Sequence, residues 1–515
     1  MKNTILIFTL SLVLHACIDD TGNYTYIDVN DLAPITVSDI GASYTMEMMD
    51  TMRLYPTLHA VTGEADEVDE ADYDYLWYVY SPTRRDTIGR EKNLSYVVAL
   101  APALNYRIVF QVTNKKTGVY KYYYTTLRVT TALAEGWYVT KDIDGVTDID
   151  IISPDGSAAR DVLRSINGEG VPGEGIICAD TRQITVSIPL EDGRDTLYKD
   201  HNCLYIMTRS TIQLYDVETM LLMHGVEGLF MKVPDRIAPQ SLTSTTVGKI
   251  IVNDDKVYTM NTSVENIGMW GAVVPGPRID PVNMCRSALG PLLVFDTDTR
   301  SFKQLNPTKN AYSAIQPGGN PGANNMGHDM VYMQEKGEIT QGGVAIMKDP
   351  ATGDHYGLKI NGYAAGLMPG GYWELPPAPA STLFNPIATR VLIPSGSNVI
   401  DARLRGTHRN MDVIYFTKGD NEVWYYNIAN TNEEKILTVP AGETITYVNT
   451  QVRYISGVSS YNLGVLTEKD GNWNLYIHDF RPSSPLVEET PVATYSGEGI
   501  PRHVHYRSLT GTTSF

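Results

Sequence analysis

Residues 293–299 read LVFDTDT: apolar side chains ending on a phenylalanine, then an aspartate and a threonine-bearing turn. Phrases of the same make recur at 213–219 (QLYDVET), 424–431 (WYYNIANT) and 476–483 (YIHDFRPS). Each is a short β-forming run closed by Asp or Asn and a polar turn. With Asp216, Asp296, Asn427 and Asp479 as markers, the separations are 80, 131 and 52 residues. These fit two, three and one repeats of about 44 residues, a period that predicts a β-propeller. Residues 134–515 have room for seven or eight blades, and seven are expected, with 136–153 (GWYVTKDIDGVTDIDIIS) opening the first. No WD dipeptide repeats, so a pair of β-sandwiches is the alternative arrangement. One short helix is expected, over 157–166 (SAARDVLRSI).

Composition supports an all-β reading. The 515 residues are 43% hydrophobic, enough for a packed core, and suit two to four domains or one large repeat array with something small beside it. Tyrosine is abundant (33, against 9 Phe and 6 Trp), and 43 Gly with 28 Pro supply many turns. Lys+Arg number 41 and Asp+Glu 59, for a net charge of −18, and no basic run occurs. That balance argues against a nucleic-acid partner held through phosphate contacts.

Ahead of the repeats lies a separate β segment. Its clearest strands are 73–80 (YDYLWYVY), 106–113 (YRIVFQVT) and 120–130. In the second, Tyr106, Ile108, Phe110 and Val112 share one face and Arg107 and Gln111 the other, the period of a half-buried antiparallel strand. Trp77 lies mid-strand, as the core tryptophan of an Ig-like sandwich does, and Tyr106 stands where a tyrosine corner sits. The order of a Trp strand, NLSY (93–96), NYRIVFQVTNKKTG (105–118) and a Tyr/Thr-rich last strand resembles the PKD-like module of Bacteroidetes lipoproteins. DDTGNY (19–24) resembles the same family. The WDFGDG signature of true PKD domains is absent, so the resemblance implies a sandwich and no chemistry. The expected architecture is an N-terminal Ig/PKD-like β-sandwich (33–133) followed by the propeller (134–515).

The first residues read as an export signal. Lys2 gives a positive start, and 4–14 (TILIFTLSLVL) is apolar but too short to span a membrane as a helix. Leu14-His15-Ala16-Cys17 resembles the bacterial lipobox, although His15 departs from the usual small or apolar residue. The resemblance implies removal of 1–16 and diacylglycerol on Cys17, with 17–32 as a tether and the chain held at the outer membrane by its lipid alone. Asp19 and Asp20 resemble the surface-export signal of Bacteroidetes lipoproteins, which implies the outer face; a solvated acidic tether is the plainer reading. The remaining cysteines, Cys178, Cys203 and Cys285, are odd in number and lack CxxC spacing, so they read as small buried hydrophobes.

Candidates for chemistry are few. GEGVPG (168–173) matches G-x-G-x-x-G, but a polar stretch precedes it and Pro172 interrupts it, so it reads as a surface turn. Asp142, Asp144, Asp148 and Asp150 surround Gly145 without EF-hand spacing, and strand ends plus a turn explain them without calcium. His503 and His505 sit at i, i+2 and could chelate zinc, but no third ligand has a recognised spacing. Two half-exposed histidines on a terminal strand are the better reading. No GxSxG elbow occurs, which removes an α/β-hydrolase. Neither a cofactor nor a metal is expected.

Aromatic loops remain. Trp270 lies before PGP (275–277), and Tyr372 and Trp373 follow Gly370-Gly371 and precede a proline-rich stretch. Rings so flanked suit stacking on sugars or holding peptide side chains, or packing under their own blade. His328, in the Gly/Asn-rich loop 317–330, is a further candidate ligand contact. The resemblance implies a non-enzymatic accessory lipoprotein of a SusC/SusD-type TonB-dependent importer. Its partners are then a SusC-like barrel, a SusD-like lipoprotein and an oligosaccharide or oligopeptide. A propeller-fold polysaccharide-degrading enzyme and a purely structural docking subunit are the alternatives.

Overall fold

The computed structural model describes residues 35–60, 68–81, 84–100, 105–189, 195–245, 248–261, 268–285, 292–306, 310–313, 315, 322–336, 342–361, 385–455 and 458–508. The chain divides into two compact units, 1–130 and 131–515.

The first unit is a β-sandwich. One layer is a five-stranded sheet in the order Ser43–Glu47, Tyr120–Thr130, Asn105–Asn114, Tyr73–Ser81, Arg84–Gly89. Its first pair is parallel and the others antiparallel. Facing it are two hairpin-like pairs, Ile35–Ser38 with Thr57–Ala60 and Thr51–Leu54 with Leu94–Val97. Ile35, Met52, Leu54 and Leu94 from these pairs meet Trp77, Ile108, Phe110, Leu127 and Val129 in one core. Trp77 stacks on Phe110 with ring centroids 4.2 Å apart, and its Nε1–H donates to the carbonyls of Glu91 and Lys92 at 3.1 Å. The expected face of Tyr106, Ile108, Phe110 and Val112 is the buried one.

Among the described residues, the second unit contains seven antiparallel sheets. Blade 2 is Gly175–Pro189, Asp195–Thr208, Ile212–Asp216, Leu222–His224. Blade 3 is Pro239–Thr245, Gly248–Asn253, Lys256–Asn261, with Val273 bridging Tyr258 as a fourth strand would. Blade 4 is Leu292–Asp296, Ser301–Asn306, Ala311–Ser313, with Cys285 bridging Leu293 on the inner side. Blade 5 is Asp329–Glu335, Gly343–Lys348, His355–Ile360, Ile387–Ile393. Blade 6 is Arg405–Thr407, Val413–Lys418, Glu422–Asn427, Asn432–Thr438, and blade 7 is Thr444–Ile455, Val458–Lys469, Asn472–Asp479, Ala493–Glu498. Blade 1 is assembled from both ends of the unit: Ile500–Arg507 pairs with Gly136–Ile143, followed by Val146–Ile152 and Ala158–Ala159.

Seven hydrophobic cores close these sheets into a ring, one between each neighbouring pair. Tyr138 and Ile149 meet Leu204 and Tyr215 between blades 1 and 2. Tyr205 and Leu214 meet Ile251 and Tyr258 between 2 and 3. Ile250 and Val252 meet Leu292 and Val294 between 3 and 4. Leu293 and Phe295 meet Ala345 and Met347 between 4 and 5. Val344 and Ile346 meet Ile414 and Phe416 between 5 and 6. Val413 and Tyr415 meet Leu463 and Val465 between 6 and 7. Leu466 and Leu475 meet Val139, Val504 and Tyr506 between 7 and 1. The molecule is therefore all-β, a sandwich followed by a seven-bladed propeller.

The ring explains LVFDTDT. Successive side chains of a strand point to opposite faces, and each face of a blade packs on a different neighbour. Leu292 and Val294 enter one core while Leu293 and Phe295 enter the next, so the strand is apolar without alternation. Three of the four markers are turn chemistry, whereas Asp479 accepts from Asn462 Nδ2 on the neighbouring strand. Asp216 Oδ1 accepts from the amides of Glu218 (2.9 Å) and Thr219 (2.7 Å), and Asp296 Oδ1 from those of Asp298 and Thr299 (both 3.0 Å). Asp216, Asn427 and Asp479 end the third strands of blades 2, 6 and 7, but Asp296 ends a second strand. Asp216 and Asp479 stand five blades apart, so the repeat is about 53 residues rather than about 44. The helix is shorter than expected, Val162–Asn167, because Ala158–Ala159 pairs with Ile151 and Ile152. Cys178, Cys203 and Cys285 are buried, as expected of small hydrophobes.

Candidate functional site

The acids of 142–150 are structural. Asp148 is buried and accepts from the amides of Ile149, Leu163 and Arg164, two of them in the first turn of Val162–Asn167. Burial raises its pKa, and those three amides oppose the rise. Asp150, also buried, meets Lys141 Nζ at 2.8 Å, Arg160 Nη1 at 3.0 Å and Trp473 Nε1 at 3.1 Å. Asp142 accepts from Thr147, from the Gly175 amide and from Arg502. Asp144 is exposed and faces Arg164 at 3.5 Å. Among the described residues, no group of three His, Cys, Asp or Glu is placed to hold a metal ion. Gly168 closes the helix at φ 85°, and Val171–Pro172 pairs with Val146 and Thr147.

His503 and His505 lie on the innermost strand of blade 1, and of the half-exposed pair expected only His503 keeps partial exposure. His505 is 5% exposed against the Tyr138 ring, and His503 is partly buried with Tyr447 edge-on at 5.4 Å. Among the described residues, neither ring nitrogen of His505 has a hydrogen-bond partner, nor does Nδ1 of His503. Burial lowers both histidines to about 3, assisted by His505 beside His503 and by Arg507 beside His505. Both are neutral at pH 7. Inner strands elsewhere are joined across blades: Thr407 donates its amide to Asn449 Oδ1 (2.9 Å) and its hydroxyl to the Glu335 carbonyl (3.0 Å). A Cβ on Gly406 would lie 2.2 Å from the Val448 carbonyl oxygen, so glycine permits that approach of blades 6 and 7.

The expected ligand contacts fare differently. Trp270 is a correction: it is fully buried between blades 2 and 3, its ring 5.2 Å from Tyr205 and 5.4 Å from Phe230. The Gly/Pro-rich chain around it turns inward, and backbone bonds with Leu229 and Met231 fix it there. His328 is buried too, with Nδ1 2.5 Å from the Met326 carbonyl, Nε2 2.6 Å from Arg390, and its ring beside Tyr356. These partners assign the proton to Nδ1 and leave neither nitrogen for a ligand. Tyr372 and Trp373, like Cys17, Asp19 and Asp20, lie outside the described residues.

Aromatic side chains are instead presented by the sandwich. Along Tyr120–Thr130, Leu127 and Val129 point into the core, so Tyr120, Tyr122 and Tyr124 point to solvent. They are 50%, 37% and 56% exposed, with ring centroids 5.0 and 6.2 Å apart along the row. Pairing places Tyr124 opposite Val109 and Val109 opposite Tyr78, and Tyr80 opposite Arg107, all on one face of the sheet. Arg85 lies 3.6 Å over the Tyr78 ring with Nη2 3.4 Å from Gln111 Oε1, and Arg107 lies 5.6 Å from the Tyr124 ring. The face therefore carries flat rings, hydroxyls and guanidinium donors, suited to binding. Sequence reasoning passed over it because tyrosine was counted as a strand former. The available signal was Tyr120, Tyr122 and Tyr124 at alternate positions, where a half-buried strand carries polar side chains.

Among solved structures, the chain is similar to a quinonprotein alcohol dehydrogenase-like protein from Bacteroides thetaiotaomicron (13% identity, 90% of this chain and 96% of that one, TM-score 0.41). It is also similar to a structural genomics protein of unknown function from the same organism (12%, 84% and 95%, TM-score 0.27) and to Kluyveromyces lactis Hsv2p (12%, 57% and 78%, TM-score 0.30). No curated protein matches the chain. Residues 17–174 match the PKD-like family, a span that takes in the sandwich and continues into the strands of blade 1.

Proposed function

We propose that the protein is a non-enzymatic accessory lipoprotein on the outer face of the outer membrane, held by lipid on Cys17. It binds an oligosaccharide or oligopeptide and serves a SusC/SusD-type TonB-dependent importer. The observation that carries the reading is the solvent-facing tyrosine row of the sandwich, a surface with the chemistry of a binding face. The match of 17–174 to the PKD-like family supports it.

The test is a pull-down of the intact lipoprotein from detergent-solubilised outer membranes, with a glycan panel offered to the purified protein. Co-purification of a TonB-dependent barrel without glycan turnover is the expected result. A protein that brings down no barrel, or that cleaves a glycan, overturns the proposal.

A further inference from the structure

We propose that the tyrosine face of the sandwich binds a single chain of an acidic glycan, a polysaccharide bearing uronate or sulfate groups. The inference rests on the carbohydrate half of the reading above and names its ligand class. The large aromatic side chains most exposed among the described residues are Tyr55, Tyr80, Tyr120, Tyr122 and Tyr124, all in the first unit, and four of them share this one sheet face. Large aliphatic side chains contribute little to the face: Val109 is 2% exposed beneath the rings, and Leu76, opposite Gln111, is partly buried. A surface for a membrane or an apolar protein partner exposes Leu, Ile or Met. This face exposes rings that each carry a hydroxyl, which suits a ligand with C–H faces and hydroxyl edges.

Spacing and charge define the ligand further. Centroid separations of 5.0 and 6.2 Å approximate the length of one pyranose residue, so successive rings can each take one sugar. The ring planes turn by 50° and then 45°, which fits a soluble chain whose sugars rotate and not a flat crystalline surface. The protein carries −18 overall, yet Arg85 and Arg107 are exposed beside the rings and Arg128 projects from the same face. Asp74, the carboxylate nearest Tyr120 across Thr113, faces Lys115 at 3.5 Å, and Glu47 lies on the far edge strand. The aromatic row is thus a locally cationic strip on an acidic protein. Planar guanidinium groups hold carboxylate or sulfate oxygens in pairs.

Affinity electrophoresis of the whole mature protein in gels containing polygalacturonate, chondroitin sulfate or dextran tests this. Expected is retardation by at least one of the two acidic polymers, weakened by salt, and absent with dextran. Tyr122→Ala with Tyr124→Ala should weaken it about tenfold or more with an unchanged melting transition. Arg85→Gln with Arg107→Gln, which keeps every ring, should weaken it comparably. Migration unaffected by both acidic polymers, equal retardation by dextran, or full retardation of a folded tyrosine variant each overturns the proposal. An unretarded protein that still co-purifies with a barrel sinks the glycan inference and spares the import reading. Loss of the barrel in the tyrosine variant, with no effect of any polymer, makes the face a protein-docking surface and overturns the inference.

Discussion

Asp150 shows how much a single residue holds in this ring. It lies in blade 1, pairs with the buried Lys141, and accepts from Trp473 of blade 7, while Lys141 also meets Asp161 at 2.8 Å. Removing one member of a buried pair costs about 3–5 kcal/mol where it strands the other charge; here Asp161 still faces Lys141, and Arg160 loses its buried partner. Asp150→Ala should therefore lower the melting temperature sharply, and adding Lys141→Met should recover part of the loss. A double variant no better than the single would show that Asp150 acts through Trp473 and not through charge. The buried histidines give a second prediction. His503 and His505 are held neutral at about 3, and burial with Lys336 nearby lowers His408 to about 4, against an ordinary value of about 6.5. The unfolded chain binds more protons across that interval. The stability from neutral histidines is thus complete above pH 6.5 and is lost as pH falls towards 3, by at most ~1.4 kcal/mol per pH unit for each histidine. His503, partly open to solvent, contributes less. Melting temperatures from pH 7 to 4.5 should fall, and His505→Leu, which removes two unpartnered nitrogens, should flatten the fall. An unchanged slope in that variant would assign the acid sensitivity to other groups.

At the scale of elements, the strand Ile500–Arg507 decides whether the ring closes. Val504 and Tyr506 supply the core against blade 7, and the strand's ladder covers one edge of Gly136–Ile143. Ending the chain at residue 499 would open that core and bare a strand edge that templates association. Such a truncation should lose the cooperative melting transition and elute as aggregates in size-exclusion chromatography. Ending it at 508 should leave both unchanged, and a monomeric, cooperatively folding 1–499 would show the ring closes without this strand. Much of this architecture was legible. The strands 73–80, 106–113 and 120–130, the core role of Trp77 and the all-β class follow from alternation and composition, and these persist because local pattern and tertiary burial agree there. The repeat length was misread because an Asx turn forms wherever a hairpin needs one, and Asp296 makes it one strand earlier than Asp216 does. Trp270 was misread because flanking Gly and Pro describe the backbone and say nothing of which way a ring turns; it sits in the core between blades 2 and 3. The tyrosine row was missed because its meaning depends on which face of Tyr120–Thr130 the core takes, and that is settled by strands from elsewhere in the chain.

For the molecule as a whole, the question is what would keep a protein of net charge −18 at the membrane surface proposed for it. No described helix is long and apolar enough to cross a bilayer, and the sandwich and propeller each bury apolar cores, leaving exposed large apolar side chains such as Met49, Met231, Val282 and Leu392 on separate elements. The tyrosine face carries hydroxyls and guanidinium groups and no insertable apolar patch, and the net charge of −18 opposes attachment to anionic lipid. Attachment then rests on the lipid proposed at Cys17, whose acyl chains contribute about 0.8 kcal/mol per buried CH₂. Cys17→Ala should move the protein from the membrane to the soluble fraction while leaving its melting transition unchanged. Membrane retention of the variant would place the anchor elsewhere. Asp19→Ala with Asp20→Ala separates anchoring from orientation. That variant should stay with the membrane but become resistant to protease added to intact cells, because the lipid remains and only the export signal is lost. Cleavage of the double variant as fast as of the native protein would reduce the two aspartates to a solvated tether.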